Sequence, residues 1–145
     1  MTKLSRRTLM KGVGVAATLS MIGSAARAED KIKVGFIFLG PIGDYGWTWA
    51  HNKGREAIDA ELGDKVETLY VENVAEDASA IPVIRDLAQQ GCKLIFTTSY
   101  GYMDQTLQVA SEFPDVKFEH CTGFKRADNV ATYNSKFHEG RAVLG

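Results

Sequence analysis

From Lys31 onward the apolar positions change their period several times, and each change marks an element. Lys31–Leu39 (KIKVGFIFL) is β-branched and aromatic with almost no polar interruption, which suits a strand buried on both faces. Ala50, Gly54, Ile58 and Leu62 then recur at four-residue steps with Ala57 beside them. That spacing predicts a helix laying this stripe on the sheet and ending at Gly63. Lys65–Glu72 reads as a second strand. Glu76–Gly91 reads as a second helix, with Ile84, Leu87 and Ala88 as its apolar stripe, Pro82 in its early turns and Gly91 closing it. Cys92–Thr98 is the third strand. Met103, Leu107, Ala110 and Phe113 stripe a third helix that Pro114 stops. Val116–Cys121 and Asn129–Ser135 are the fourth and fifth strands, and a further helix starts within Phe137–Gly145.

Strand and helix alternate through short connections, the signature of an α/β fold with a parallel sheet covered by helices on both faces. The last residues, GRAVLG, open a helix with no cap or polar tail. With a strand edge of the sheet left uncovered, the expectation is a piece of a longer protein.

The first 28 residues stand apart from this pattern. Ser5–Lys11 (SRRTLMK) carries a twin-arginine pair, a modest apolar run comes next, and Ala26-Arg27-Ala28 forms a small-x-small cleavage site. The expectation is a Tat-type signal peptide over residues 1–28, cleaved after Ala28, with the mature protein in the periplasm. A membrane anchor is the other reading, but the apolar run falls short of the roughly 20 residues a spanning helix needs. No cysteine lies near the cleavage site, so lipidation is not expected. The chain beyond Ala28 is long enough for one domain.

Charge and cysteines narrow the picture further. The net charge is −1 with no basic block, so nucleic acid, whose binding requires clustered Lys and Arg, is excluded as a partner. Cys92 starts the third strand and Cys121 ends the fourth, at opposite edges of a parallel sheet, so no bond between them is expected.

In open α/β sheets ligands bind in the crevice outside the carboxyl ends of the strands. Four segments meet there: Gly40–Trp47, Asn73–Ser79, Ser99–Asp104 and Thr122–Asp128. They bring Tyr45, Trp47, Tyr100, Tyr102 and Phe124 together with Asp44, Thr48, Ser99 and Asp104, an aromatic lining with few polar groups, as a small-molecule site requires. In GPIGDYGWTWAHNKG, Trp47 shares the side of Ala50, Gly54 and Ile58 one turn earlier, so it overhangs the strand ends, while Trp49 falls on roughly the opposite side. A core-capping indole is the alternative for Trp47. Gly40, Gly43 and Gly46 would let the backbone bring the indole and the helix N-terminus close to a ligand.

A dinucleotide-dependent oxidoreductase is the main competing class, because Glu72 ends the second strand where a ribose-binding acid would sit. The turn, however, is G-x-x-G-x-x-G rather than the G-x-G-x-x-G fingerprint. An exported sensory domain is a third class. Ser99 is not in a nucleophile elbow. His51, His120 and His138 lack metal-ligand spacing and read as surface or satisfied histidines, with His120 and Cys121 on opposite faces of their strand.

Three stretches, KVGFIFLGPIGDYGWTWAHNKGREA, IFTTSYGYMD and FPDVKFEHCTGFKRADNVATYNSKFHEGR, resemble the N-terminal part of the basic membrane protein (BMP) family. These are substrate-binding proteins of ABC importers, whose characterised branch binds purine nucleosides or bases. The resemblance covers essentially all of the chain after Ala28. It implies a periplasmic-binding-protein type I lobe, with the second lobe missing from this chain. It also implies a purine ligand held between lobes, a permease partner in the inner membrane, no cofactor and no enzymatic activity. Asp44 and Trp47 match the family's turn aspartate and stacking aromatic. Thr48 stands where Asn is frequent, and Asp104 matches an aspartate that contacts ligand. Glu139 and Gly140 match a structural helix start. With Ser99 and Tyr100 from the crevice, the candidate ligand residues are Asp44, Trp47, Thr48, Ser99, Tyr100 and Asp104.

Overall fold

The computed structural model describes residues 30–136 together with positions 138, 139 and 142. The expected signal peptide therefore lies outside the described residues, and the helix start within Phe137–Gly145 lies largely outside them. The changes of period become β1 (Ile32–Ile37), α1 (Trp47–Leu62), β2 (Val66–Val71), α2 (Ala80–Gln89), β3 (Leu94–Thr97), a 3-10 turn (Tyr100–Tyr102), α3 (Met103–Glu112), β4 (Lys117–Cys121) and β5 (Val130–Tyr133).

The strands form one five-stranded sheet in the order β2-β1-β3-β4-β5. Every pairing is parallel, from Ile32 opposite Val66 at one side to Cys121 opposite Tyr133 at the other. The chain reverses its direction of travel across the sheet between β1 and β3, so the loops leaving these two strands diverge to opposite faces and open a crevice between them.

Alternation along each strand splits the core in two. Ile37, Ile95, Phe118 and Val130 face α2 and α3, whose Ile84, Leu87, Val109 and Ala110 complete the larger cluster. Fully burying a side chain such as Ile84 or Leu87 contributes roughly 1.5–3 kcal/mol. The α2 stripe is as expected, and Gly91, at φ 91, supplies the left-handed residue just past the helix. On α3 the buried positions are Met103, Thr106, Val109 and Ala110, with Leu107 and Phe113 half-buried. Thr106 is tolerated there because its hydroxyl donates to Tyr102 O at 2.7 Å and sits 3.0 Å from Thr97 Oγ1. Asn129, before β5, donates to the carbonyls of Ala110, Phe113 and Val116 at 3.0–3.1 Å and ties the end of α3 to the sheet.

The other face corrects the expected phase of α1. Ala50, Gly54 and Ala57 are exposed and Leu62 is 43% exposed, while Thr48 and Asn52 are buried. Of the expected stripe Ile58 packs on this face, and most of the remaining apolar cover comes from the strands: Phe36 stacks on Phe96 with centroids 4.8 Å apart, and Phe38 and Tyr133 extend the row of rings on either side. Helix α1 meets this row with a polar edge. Arg55 lies over the Tyr70 ring at 4.5 Å and donates to Asn52 Oδ1, Asp59 Oδ2 and Thr68 Oγ1. Each inward polar group there has a partner, which is what allows a polar face to be buried.

Cys92 and Cys121 are both free and buried. Cys92 lies two residues before Leu94, whose partner Lys117 is four residues before Cys121. About six residues of rise at ~3.3 Å far exceed the roughly 7 Å that a disulfide spans between Cα atoms.

Candidate ligand-binding site

The turn after β1 is built around Asp44. Its Oδ1 accepts from the N–H groups of Gly46 (2.7 Å) and Trp49 (2.9 Å), and its Oδ2 accepts from that of Thr48 (3.2 Å). These are donors that the first turn of a helix leaves without intrahelical partners. The bonds, led by that from Gly46, hold the Asp44 carboxyl below its ordinary pKa. The carboxylate therefore faces the start of α1 and places Trp47 and Thr48. Thr48 is buried, and its Oγ1 accepts from Gly40 N at 3.1 Å. The left-handed residue of the turn is Tyr45, at φ 52, and none of Gly40, Gly43 and Gly46; among the described residues Gly91 is the one glycine with positive φ. Asn73 (φ 56) and Thr122 (φ 63) adopt the same conformation in the loops after β2 and β4. Non-glycine residues in this region are uncommon, and they cluster where a surrounding structure over-determines them.

Trp47 sits at the reversal point of the sheet. Its Nε1 donates to Thr98 O, just past β3, at 2.7 Å, so the indole bridges the loops leaving β1 and β3. Thr98 in turn donates through Oγ1 to Ile37 O at 2.7 Å. One turn along α1, the His51 ring lies 4.7 Å from the indole, with Nδ1 2.9 Å from Trp47 O. Trp49 instead points outward beside Tyr45 at 6.2 Å, with the Lys53 ammonium 5.7 Å from its ring. The division between the two indoles is as expected, although of the stripe used to derive it Ile58 packs on the sheet while Ala50 and Gly54 are exposed.

Of the other expected residues, Ser99 is buried and donates through Oγ to Glu76 Oε1. Tyr100 is 54% exposed at the rim. Asp104, in the first turn of α3, pairs with Lys125 of the loop after β4 at 2.6 Å, with both side chains largely open to solvent. Phe124 and Tyr45 are exposed on the same rim. Tyr102 does not line the crevice: it is fully buried, and its hydroxyl donates to Val74 O at 2.5 Å. The 3-10 turn rotates it beneath the site, where it joins the loop after β2 to the turn after β3.

Two glutamates that sequence reasoning did not place in this role hold the rim together. Glu72 Oε1 accepts from Ile42 N at 2.6 Å, so the side chain weighed as a ribose-binding acid is engaged with the turn after β1. Glu76 Oε1 accepts from Gly101 N at 2.8 Å. Glu72 at a strand end carried a weak signal; Glu76 lay in the crevice segment Asn73–Ser79 and was also read as the start of the second helix, which in the structure begins at Ala80. His120 also departs from expectation. It is not at the surface: it is 1% exposed, and among the described residues neither ring nitrogen has a hydrogen-bond partner. Burial lowers its pKa.

Comparison with known proteins bears on the family and the fold. Residues 31–145 match the Bmp family model, described as ABC transporter substrate-binding protein PnrA-like. A purine-binding protein of Brucella abortus (strain 2308) is 58% identical over 133 residues, covering 90% of this chain and 38% of the relative. A Haloferax volcanii protein, provisionally named as an ABC transporter glucose-binding protein, is 35% identical over 123 residues, covering 85% of this chain and 31% of the relative. The chain thus spans roughly a third of the length of these relatives. Among solved structures, an ABC transporter solute-binding protein from Conexibacter woesei superposes with a TM-score of 0.60 at 26% identity, covering 71% of this chain and 35% of that one. A solute-binding protein from Aeropyrum pernix K1 shares the fold, with a TM-score of 0.62 at 24% identity over 71% of this chain and 28% of that one. Family and relatives bind substrates and are not enzymes. By the family match and the identity to the Brucella protein, the chain belongs to the Bmp family of PnrA-like ABC transporter substrate-binding proteins.

Proposed function

We propose that this lobe is part of an exported solute-binding protein that captures a purine base or nucleoside between two lobes and delivers it to an inner-membrane ABC permease. The observation that carries the ligand class is the 58% identity to a purine-binding protein, which extends through the segments that form the crevice. The placement of Trp47 supports it: an indole hydrogen-bonded to Thr98 O at the reversal point of the sheet offers a π-face to a flat heterocycle. In this reading Trp47 is the stacking platform. Ser99, Tyr100 and Asp104 supply rim contacts, and Asp44 and Thr48 act chiefly by holding the turn. Export uses the twin-arginine route, with cleavage after Ala28 and no lipid anchor.

The test uses the full-length protein. Adenine, adenosine, guanosine and glucose are titrated by calorimetry. Saturable binding of a purine with no glucose binding is expected. Glucose binding without purine binding would move the ligand to the sugar class named for the Haloferax relative. For export, the periplasmic protein should begin at Glu29, and changing Arg6 and Arg7 to Lys should leave the precursor in the cytoplasm. Unimpaired export of that double variant would refute the twin-arginine route.

A further inference from the structure

The loop after β2 and the turn after β3 are joined by one carboxylate oxygen. Glu76 Oε1 takes the Ser99 hydroxyl hydrogen and the Gly101 N–H together, the latter at 2.8 Å. The side chain also lies flat on Gly101. A Cβ at Gly101 would stand 2.6 Å from Glu76 Cβ and Cδ and 2.8 Å from its Oε1. Gly101 does not have a left-handed backbone, so the glycine is required by the Glu76 side chain above it and not by its own conformation. One placement of Glu76 thus gives both a bifurcated acceptor and a side chain packed where a Cβ at position 101 would stand.

The chemical consequence lies at Ser99. A hydroxyl has one hydrogen to donate and two lone pairs. With its hydrogen committed to Glu76, Ser99 Oγ can meet a ligand only as an acceptor. We infer that Glu76 is a positioning and specificity residue for the purine site: it fixes the Ser99–Tyr102 turn and makes Ser99 select a ligand N–H donor, an exocyclic amine, over a carbonyl. This inference rests on the purine-binding reading above.

The experiment compares wild type, Glu76→Ala, Glu76→Gln and Ser99→Ala in the full-length protein, with two readouts. Amide hydrogen exchange of the unliganded protein reads the strap directly. Gly101 should be protected in wild type, in Ser99→Ala and in Glu76→Gln, whose amide oxygen still accepts, and should exchange at least tenfold faster in Glu76→Ala. Calorimetry with adenine and hypoxanthine, which differ in an amine against a carbonyl, reads selectivity. Wild type should favour adenine at least fivefold. Glu76→Ala should bind adenine at least fivefold more weakly and bring the two purines within twofold, because the freed hydroxyl can then donate. Ser99→Ala should lose the preference without losing Gly101 protection, and Glu76→Gln should restore most of the adenine affinity. Unchanged Gly101 exchange in Glu76→Ala would overturn the strap, and an unchanged adenine preference in that variant would overturn the selectivity role. If wild type binds neither purine, the purine reading fails, and the exchange measurement alone decides the strap.

Discussion

Replacing Trp47 tests the two jobs proposed for its indole. In the proposed reading the ring stacks on the purine at the reversal point of the sheet, and its Nε1 ties α1 to Thr98 O at 2.7 Å. Trp47→Ala removes both. Loss of a base stack costs about 1–3 kcal/mol, which at 1.4 kcal/mol per tenfold weakens purine binding by roughly 5- to 150-fold. Trp47→Phe keeps a π-face and loses the N–H···O bond, worth about 0.5–1.5 kcal/mol net. Its affinity should therefore fall less than that of Trp47→Ala, while its stability should fall by about 1 kcal/mol. Trp49→Ala is the control, since Trp49 packs outward against Tyr45 and Lys53, and it should leave affinity within about twofold, the size of a remote surface change. The measurements are calorimetric titration of adenine and adenosine and urea unfolding, both on the full-length protein. The reasoning is refuted if Trp47→Ala binds purines as wild type does, or if Trp49→Ala loses more affinity than Trp47→Ala.

Buried groups give the other expected outcomes. Tyr102→Phe leaves Val74 O without the hydroxyl that reaches it at 2.5 Å; the full-length protein should lose about 1–3 kcal/mol of unfolding free energy, whereas Tyr100→Phe at the exposed rim should be near neutral. Burial holds the His120 imidazole below its ordinary 6.5, so the folded state favours the neutral ring and the unfolded chain takes up the proton first. That contribution is complete above pH about 6.5 and declines as the pH falls through it, by at most about 1.4 kcal/mol per pH unit. Between pH 7.5 and 5.5, wild type should therefore lose more stability than His120→Leu, and parallel urea-midpoint profiles would contradict this. Burial likewise raises the pKa of both thiols, so Cys92 and Cys121 should resist alkylation in the native protein and react only on unfolding; a Cys92–Cys121 bridge in non-reducing peptide mapping would overturn the sheet register.

Much of the architecture was legible in one dimension. Period and composition located the elements around Ile32–Tyr133, because a strand buried on both faces must be apolar at nearly every position, as β1 is, and because α2 meets an apolar core with a stripe. The same local rules placed Trp47 at the carboxyl end of the strands and Trp49 away from it. They failed at α1, where Ala50, Gly54 and Ala57 looked like an inner face but are exposed. An apolar stripe shows which face could be buried. Which face is buried depends on what the sheet presents opposite it, here the rings of Phe36, Phe38 and Phe96 and the Thr68 hydroxyl. Strand order was equally hidden, since it arises from pairing between segments distant in sequence, and with it the reversal between β1 and β3 that places Trp47 against Thr98. The rim contacts were the least visible. Asp44 looked like a free ligand acceptor, yet in the fold three backbone N–H groups occupy it. Glu76 meets Ser99 and Gly101 across 23 and 25 residues of chain, a contact that exists only once the sheet has brought their loops together.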